Sequence, residues 1–246
     1  MEAEVGSRML ERLDYFRIAP RRILDAGSGP VREAKALAAR YRGAQLVALD
    51  FSLPVLRGAH GWFRFLSRRQ AVCADLARLP LVAESIDLVW SNMALHWSDD
   101  PAAALKEFRR VLAADGLLMF STLGPDTLKE LRAAAGPERV HAFIDMHDIG
   151  DMLVAAGFAA PVMDMEMLTL SYPRAGALLA DLRASGQTSA RVDRPRGLAG
   201  RGFRERLLAA LPPRASFEVV YGHAWKGAPR EHRETVKTIG LYRRLS

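Results

Sequence analysis

The chain has 246 residues, half of them apolar, which is enough for a substantial core, and it has no run of about 18 apolar residues that would predict a membrane-spanning helix. Its only cysteine, Cys73, excludes an internal disulfide, and the charged N-terminal segment lacks the apolar core of a signal peptide, so we expect a cytoplasmic protein. The formal net charge is +7, and most of the excess comes from residues 174–214, which contain nine arginines and three acidic residues.

The first half of the chain alternates strand-like and helix-like segments. This alternation is typical of a parallel sheet with helices on both faces, and it predicts a ligand site at the carboxyl ends of the strands. The predicted helices are the amphipathic N-terminal segment and residues 31–41, 53–67 and 101–113. The first predicted strand ends at Ile23–Leu24, and the other four span residues 45–50, 70–74, 86–90 and 116–122.

The second half has fewer strands and a long segment between them. Met163, Met165 and Met167 alternate within one strand, so they share a face and are expected to fill the core. Helix and strand patterns predict one domain with a helical insertion between its last two strands. The predicted elements are a helix over 148–156 ended by Gly157, strands over 162–172 and 217–225, and inserted helices over 175–185 and 203–211.

The Arg-rich segment over residues 174–214 has several interpretations. A basic patch of this kind can bind nucleic acid, a membrane surface or an acidic protein, and it can also be an ordinary solvated surface. The segment lacks the interleaved aromatic residues that stack on bases, which argues against nucleic acid. We expect neither a nucleic-acid nor a membrane partner.

The stretch RRILDAGSGP places an acidic residue and two glycines where the first strand is followed by a helix. Glycines at such a bend let the backbone turn tightly and approach a ligand closely, and the amides of the next helix then face a polar group. A dinucleotide-binding fingerprint requires a third glycine three positions after Gly29, where this chain has Arg32. The motif therefore argues against a nicotinamide cofactor.

Two more acidic residues end neighbouring strands. Asp50 follows the bend by about 20 residues, where a carboxylate can accept hydrogen bonds from both ribose hydroxyls. Asp75 follows the third strand in CADLARLPL, where it can accept a hydrogen bond from an adenine amino group. Each acid alone could simply cap a helix or a turn. Together with Asp25, they predict a nucleoside-binding site.

This combination, with the stretch over residues 86–97, resembles the class I S-adenosylmethionine-dependent methyltransferases. The resemblance implies a Rossmann-like α/β fold with a seven-stranded, mostly parallel sheet whose last strand is antiparallel. It also implies that S-adenosylmethionine is the cofactor. The implied contacts are Asp25, Gly27 and Gly29 at the methionine end, Asp50 at the ribose, Leu53, Asp75 and Leu76 around the adenine, and Asn92 beside the sulfonium.

Later segments resemble a narrower group, the BioC-type malonyl-acyl-carrier-protein O-methyltransferases of biotin synthesis. They include SNMALHWSDDP, FSTLGPDTLKELR, FIDMHDIGDMLVAAGF, PVMDMEMLTLSYP and FEVVYGHAWKG. The resemblance implies that the partner is a malonyl-loaded acyl carrier protein. It also implies one methyltransferase domain over residues 1–246, with a cofactor-binding half at about 20–125 and a substrate-side half at about 126–230. Val31 replaces a family glycine, and a longer N-terminal lid is usual, so both features predict weaker cofactor binding.

The implied chemistry needs no proton transfer. A malonyl carboxylate is already ionised at neutral pH, so alignment in a dry pocket is the expected source of catalysis, and we assign no catalytic base. The metal-ligand spacings known from proteins do not occur among the histidines and aspartates over residues 141–148, so we expect no metal. Asp148 is expected to cap a helix. The candidate substrate-orienting residues are His96, Trp97, Asp126, Arg132, which could grip a carboxylate, and His147.

Two other functions fit the same sequence features. One is methylation of a different small molecule or a quinone precursor, which would require a base or a hydroxyl-orienting group in the pocket. The other is an assembly or binding protein that keeps the fold without transferring methyl groups, as complex I assembly relatives of the family do. Val31 is the residue that most favours this second alternative, because its side chain is expected to crowd the methionine end of the cofactor.

Overall fold

The structure is a computed structural model that describes residues 1–58, 69–186 and 200–227. The strands are β1 (Arg22–Ala26), β2 (Gln45–Asp50), β3 (Arg69–Cys73), β4 (Ile86–Ser91), β5 (Leu112–Leu123), β6 (Ala159–Ser171) and β7 (Arg214–Trp225). The α-helices are α1 (Glu2–Arg12), α2 (Arg32–Arg40), α3 (Leu53–Gly58), α4 (Pro101–Val111), α5 (Lys129–Ala135), α6 (Met146–Ala155), α7 (Ala175–Ala184) and α8 (Gly200–Ala210). Short 3-10 helices span Leu13–Tyr15, Leu95–Trp97 and Pro137–Arg139.

The seven strands form one sheet in the order β3-β2-β1-β4-β5-β7-β6. Strands β1 to β5 are parallel, and β7 runs antiparallel between β5 and β6. The chain order reverses direction across the sheet between β1 and β4, and ligands bind at such a switch point, outside the carboxyl ends of the strands. The predicted seven-stranded, mostly parallel sheet is therefore confirmed.

Helices cover both faces of the sheet. On one face, α1, α2 and α7 bury side chains such as Val5, Leu37 and Leu178 against the strands. On the other face, α4 and α6 bury side chains such as Phe108 and Leu153. The central strands are apolar on both faces because both are covered, as a parallel sheet requires.

Several predicted boundaries shift. Strand β5 begins at Leu112, four residues before the predicted start, because Leu112 pairs with Ile86 ahead of an irregularity in the register. The helix predicted over 53–67 is observed as α3, and residues 59–68 lie outside the described residues.

Strand β6 is an edge strand, and this position overturns the expectation for its methionines. Met163 packs against the core, but Met165 and Met167 are 46% and 38% exposed. Sequence alternation correctly places the three on one face, yet only part of that face is covered, since β6 ends the sheet. The expectation that all three fill the core is wrong.

The insertion between β6 and β7 starts and ends at the edge where the parallel strands finish. Ser171, the last residue of β6, lies opposite Arg214, the first residue of β7. Strand β7 runs antiparallel to β5, so its first residue lies at the carboxyl edge of the sheet. Helices α7 and α8 of the predicted insertion are confirmed, and residues 187–199 of the Arg-rich segment lie outside the described residues.

Helix α6 is capped by a different aspartate from the one expected. The Asp145 carboxylate accepts a hydrogen bond from the backbone N–H of His147 at 2.8 Å, and Asp145 is the N-cap. Asp148 lies inside the first turn and is not the cap. Both residues are acids next to the same apolar pattern, so sequence alone offered two candidates and the expected one is wrong. The predicted helix end at Gly157 is confirmed by its φ of +87°.

This capping yields a matched pair of variants. Replacing Asp145 by Ala removes the acceptor for an otherwise unpaired helix amide, and we expect it to lower the free energy of unfolding by about 1 kcal/mol. Replacing Asp148 by Ala leaves that hydrogen bond in place and is expected to lower the free energy by less than about 0.5 kcal/mol. Urea denaturation of both variants measures the difference, and equal losses would contradict the assignment of the cap.

Candidate cofactor and acceptor site

The bend after β1 places two glycines, which have no side chain, at the carboxyl edge of the sheet. Gly27 and Gly29 both take positive φ angles, +79° and +49°, which glycine adopts without strain. The N–H groups of Gly27 and Ser28 donate to the carbonyl of Leu49 at 2.7 and 2.9 Å. A Cβ at Gly27 would collide with the Cβ of Ala94, whereas a Cβ at Gly29 would have nothing within 4 Å. The bend is therefore packed on one side and open on the other.

Asp50 ends β2 and holds this bend in place. One carboxylate oxygen accepts a hydrogen bond from the Gly29 N–H at 2.9 Å, and the other accepts from the Ser52 N–H at 2.8 Å. Asp50 is half-buried, so the carboxylate keeps an accessible side. A carboxylate offers about four lone-pair sites, and two remain for a ligand.

Asp25 is the most unusual group of the site. Its side chain is 1% exposed, and its Oδ2 forms no hydrogen bond with any described residue. Burial, followed by the charges of Glu33 and Asp50, raises the pKa of Asp25 well above its usual value. The buried Ser28 hydroxyl in the same bend also finds no partner among the described residues. Buried polar atoms are normally satisfied, so these two atoms are available to form hydrogen bonds with a ligand.

Glu33 and Asn92 lie beside this bend and contact α1. The Asn92 amide donates to Glu33 Oε1 at 3.3 Å and to the carbonyl of Glu2 at 3.1 Å, and its oxygen accepts from the Ser121 hydroxyl at 2.8 Å. Glu33 was not among the predicted site residues, although an acidic residue in the first helical turn after a glycine bend is a recognisable pattern. The contact of Asn92 with the sulfonium remains a prediction.

Val31 stands at the N-cap of α2 with a φ of +56°. This left-handed conformation is strained for a β-branched residue and would suit the glycine that the family pattern has here. The side chain is buried in the core cluster that also contains Val5 and Met9 of α1. The expected crowding of the cofactor by Val31 remains a prediction.

Apolar and acidic groups border the bend on the side of β2 and β3. Phe51 directly follows Asp50 and is 80% exposed, and Leu53 is also exposed. Asp75 is exposed and accepts a hydrogen bond from the Ala77 N–H at 2.9 Å, while Leu76 packs partly against the core. Phe51 was not among the predicted site residues, although an aromatic residue directly after a strand-ending acid is a recognisable pattern.

A second feature is a cavity of about 280 Å³ beyond the ends of β4 and β5. Seven apolar residues line it, together with the polar residues His96, Ser98, Asp99, Thr122 and His141. His141 Nε2 donates to the carbonyl of His96 at 3.1 Å, and Phe143 packs against both imidazole rings. Burial and the neighbouring His141 lower the pKa of His96 to about 3, so this ring is neutral at physiological pH. Its Nδ1 has no hydrogen-bond partner among the described residues.

The other four predicted substrate residues do not line this cavity. Trp97 is exposed and its ring lies 6.1 Å from that of His141. Arg132 donates to the carbonyls of Pro125 and Thr127 at 2.6 and 3.1 Å, so its guanidinium holds the loop after β5. The remaining two residues are exposed, with Asp126 paired to Lys129 and His147 paired to Asp145. Only His96 of the five lines the cavity.

Two further features are absent from residues 1–58, 69–186 and 200–227. No helix in these ranges is both long and apolar enough to cross a bilayer. The same ranges contain no group of three or more His, Cys, Asp or Glu side chains placed to hold a metal ion.

Comparison with known proteins identifies the same region. A family model described as a methyltransferase domain matches residues 24–120. The YcgJ protein of Bacillus subtilis superposes with a TM-score of 0.67 at 17% identity, over 92% of this chain and 99% of that one. A putative methyltransferase of Bacillus halodurans superposes with a TM-score of 0.64 at 17% identity, over 90% and 100%. The two superpositions show a shared fold, and the family model covers the part of the chain that carries the glycine bend.

Curated relatives identify the family. A malonyl-acyl-carrier-protein O-methyltransferase of Methylovorus sp. is 50% identical over 94% of this chain and 83% of the relative. The enzyme of the same name from Gallionella capsiferriformans is 49% identical over 97% of this chain and 88% of the relative. The chain belongs to the malonyl-acyl-carrier-protein O-methyltransferase family.

The two glycines of the bend form a matched pair for a test. Replacing Gly29 by Ala adds a methyl group in open space, so we expect a loss of about 1 kcal/mol of stability from backbone strain and a clear loss of S-adenosylhomocysteine affinity. Replacing Gly27 by Ala adds a collision with Ala94, so its loss of stability is expected to be larger. Thermal denaturation and titration calorimetry measure both effects, and unchanged affinity in the Gly29 variant would contradict the placement of the cofactor.

Proposed function

We propose that this protein transfers a methyl group from S-adenosylmethionine to the free carboxylate of malonyl-loaded acyl carrier protein, and that this methyl ester serves biotin synthesis. The observation that carries the proposal is the near full-length identity of 40–50% with several relatives that bear this name. An enzyme with this activity must bind the cofactor and a carrier-bound acceptor. The glycine bend suits the cofactor, and the cavity beyond β4 and β5 suits the acceptor.

The residues of the bend fit S-adenosylmethionine. The unpaired oxygen of Asp25 suits the ammonium group of the methionine end, and the open space at Gly29 suits close approach of the ligand backbone. Asp50 has lone pairs left for the ribose hydroxyls, and the exposed ring of Phe51 can stack on the adenine. In this assignment Gly27 shapes the bend, Leu53, Asp75 and Leu76 border the base, and Asn92 lies near the sulfonium.

The cavity beyond β4 and β5 suits the acceptor. When bound, S-adenosylmethionine supplies a methyl group on a positively charged sulfur, and the acceptor carboxylate attacks it without losing a proton first. The apolar part of the lining, which includes Leu95, Leu123 and Phe143, would reduce the solvation of a carboxylate bound beside it. His96 is neutral there, so it orients the acceptor through a hydrogen bond and does not hold the carboxylate by charge.

The Arg-rich insertion suits an acidic carrier protein. Arg183 on α7 and Arg204 and Arg206 on α8 are exposed, and the insertion begins and ends at the carboxyl edge where the cofactor bend lies. Complementary charge increases the encounter rate and fixes orientation more than it adds affinity. We propose that the carrier docks here, in the cytoplasm, with residues 126–230 serving the acceptor side.

The direct test uses purified protein, S-adenosylmethionine and malonyl-loaded acyl carrier protein. We expect mass spectrometry to show one methyl group on the malonyl unit, removable by mild alkali as an ester is. Acetyl-loaded carrier is the control, because it lacks the free carboxylate and should stay unmodified. Absence of methylation on the malonyl carrier, under conditions where S-adenosylhomocysteine binds, would contradict the proposed acceptor.

Carrier docking has a separate test. Reversing Arg183, Arg204 and Arg206 to Glu should lower kcat/KM on carrier-bound substrate by at least about tenfold at low salt, and spare a small malonyl thioester. Arg42→Glu is the control, because Arg42 is exposed in the loop between α2 and β2, at the opposite edge of the sheet. Equal losses on the carrier and on the small thioester would contradict docking at the insertion.

A further inference from the structure

One short segment after β4 borders both the glycine bend and the cavity beyond β4 and β5. Ala94 packs against the bend so closely that a Cβ at Gly27 would collide with it. The next two residues, Leu95 and His96, line the cavity. The cavity therefore begins directly beside the proposed cofactor position, and a group bound in it can direct a neighbouring group towards the cofactor.

The cavity is too small for the whole acceptor. Its volume of about 280 Å³ lies near the lower end of the range for ligand pockets, which is roughly 300 Å³. The acceptor named in the proposed function is long, because a thioester joins its malonyl group to the pantetheine arm of the carrier, a chain that contains amide groups. Only one part of this acceptor fits the cavity, and the charges and hydrogen-bonding groups of the wall decide which part.

The charges of the wall disfavour a free carboxylate. Among the described residues, no lysine or arginine lines the cavity, and the acidic Asp99 does. His96 is neutral at physiological pH, because burial and the neighbouring His141 lower its pKa to about 3. A carboxylate placed here would lose hydration without gaining the ion pair to lysine or arginine that offsets such a loss.

Two buried polar atoms of the wall have no hydrogen-bond partner among the described residues. They are His96 Nδ1 and the hydroxyl oxygen of Ser98. A neutral imidazole nitrogen donates or accepts according to the tautomer, and a hydroxyl group does both. An amide matches such atoms, because its N–H donates and its carbonyl accepts, whereas a carboxylate only accepts. The two atoms are therefore available to an uncharged amide.

Apolar and aromatic side chains form the rest of the wall. Leu95, Leu123 and Ile149 are buried, and they line the cavity together with Phe143. Trp97 is 45% exposed, and its ring lies 6.1 Å from that of the lining residue His141. Such surfaces suit the methylene groups on either side of the amides in a pantetheine arm.

We propose that this cavity binds an amide-containing part of the carrier's pantetheine arm, and that the malonyl carboxylate lies outside the cavity, beside the glycine bend. The inference rests on the proposed function. In this arrangement the Ser98 hydroxyl and His96 Nδ1 form hydrogen bonds with an amide of the arm. The arm is thereby held in place, and the thioester directs the carboxylate towards the methyl group of the cofactor. Ser98 and His96 recognise the arm and do not recognise the carboxylate.

The first test measures binding of pantetheine itself to the purified protein by ligand-observed NMR. We expect the wild type to bind pantetheine, and Ser98→Ala to bind it about tenfold more weakly, because a buried amide then loses its partner. Malonate, which has carboxylates and no amide, should not displace pantetheine. Ser85→Ala is the matched control, because the Ser85 hydroxyl donates to the carbonyl of Val82 at 2.6 Å, at the amino end of β4. It should bind pantetheine as the wild type does.

The second test uses methyl transfer to separate the arm from the carboxylate. Ser98→Ala should lower kcat/KM for malonyl-pantetheine about tenfold, mainly by raising KM. The S-ethyl thioester of malonate carries the same carboxylate and thioester but no amide. Its kcat/KM should stay within about twofold of the wild-type value in the Ser98→Ala variant.

The outcomes separate this inference from the proposed function. Equal losses on the two thioesters would show that Ser98 acts on the malonyl unit, and would overturn the inference. Failure of the wild type to bind pantetheine, displacement of pantetheine by malonate, or unchanged pantetheine affinity in Ser98→Ala would overturn it as well. Pantetheine binding that Ser98→Ala weakens, in a protein that leaves the malonyl carrier unmethylated, would contradict the proposed function and support the assignment of the cavity to the arm.

Discussion

A buried carboxyl group that lacks a partner is the constraint on which this site depends. Asp25 is the next-to-last residue of the inner strand β1, and its side chain is 1% exposed. Asp25 Oδ2 has no hydrogen-bond partner among the described residues, so this oxygen is available to a ligand that donates a hydrogen bond. Asp50 contributes to the same arrangement, because it fixes the bend that leaves this oxygen available.

The two halves of the sheet supply two different environments. At the bend, acidic side chains gather around a position suited to a positively charged methionine end. Beyond β4 and β5, the cavity combines apolar groups with polar residues, among them the neutral His96 and the acidic Asp99. In the proposed function, an anionic acceptor and a cationic donor would meet at the boundary between the two environments, where partial desolvation of the carboxylate would favour its attack on the positively charged sulfur.

The sequence predicted the fold and the strand-ending acids because both follow from short-range patterns. An apolar run, an acid and two glycines specify a strand, its end and a tight bend within about ten residues. Glu33 was not predicted, because its partial burial depends on contact with Gly6 of α1, a residue distant from it in sequence. Arg132 was a plausible carboxylate clamp, but loop carbonyls engage its guanidinium. The exposure of Met165 and Met167 depends on β6 ending the sheet, which alternation within one strand does not reveal.

The reversed strand β7 brings both ends of the insertion to one point of the sheet. Ser171 and Arg214 are directly paired across β6 and β7, so the chain leaves the sheet and re-enters it at one point. Strand register is set by the pairing of β6 and β7, so the exposed residues of the insertion can vary without shifting the sheet, whereas Leu178, Leu182 and Leu211 are fixed by their packing in the core. The surface of the insertion can therefore diversify in evolution while the glycine bend at the same edge of the sheet keeps its geometry.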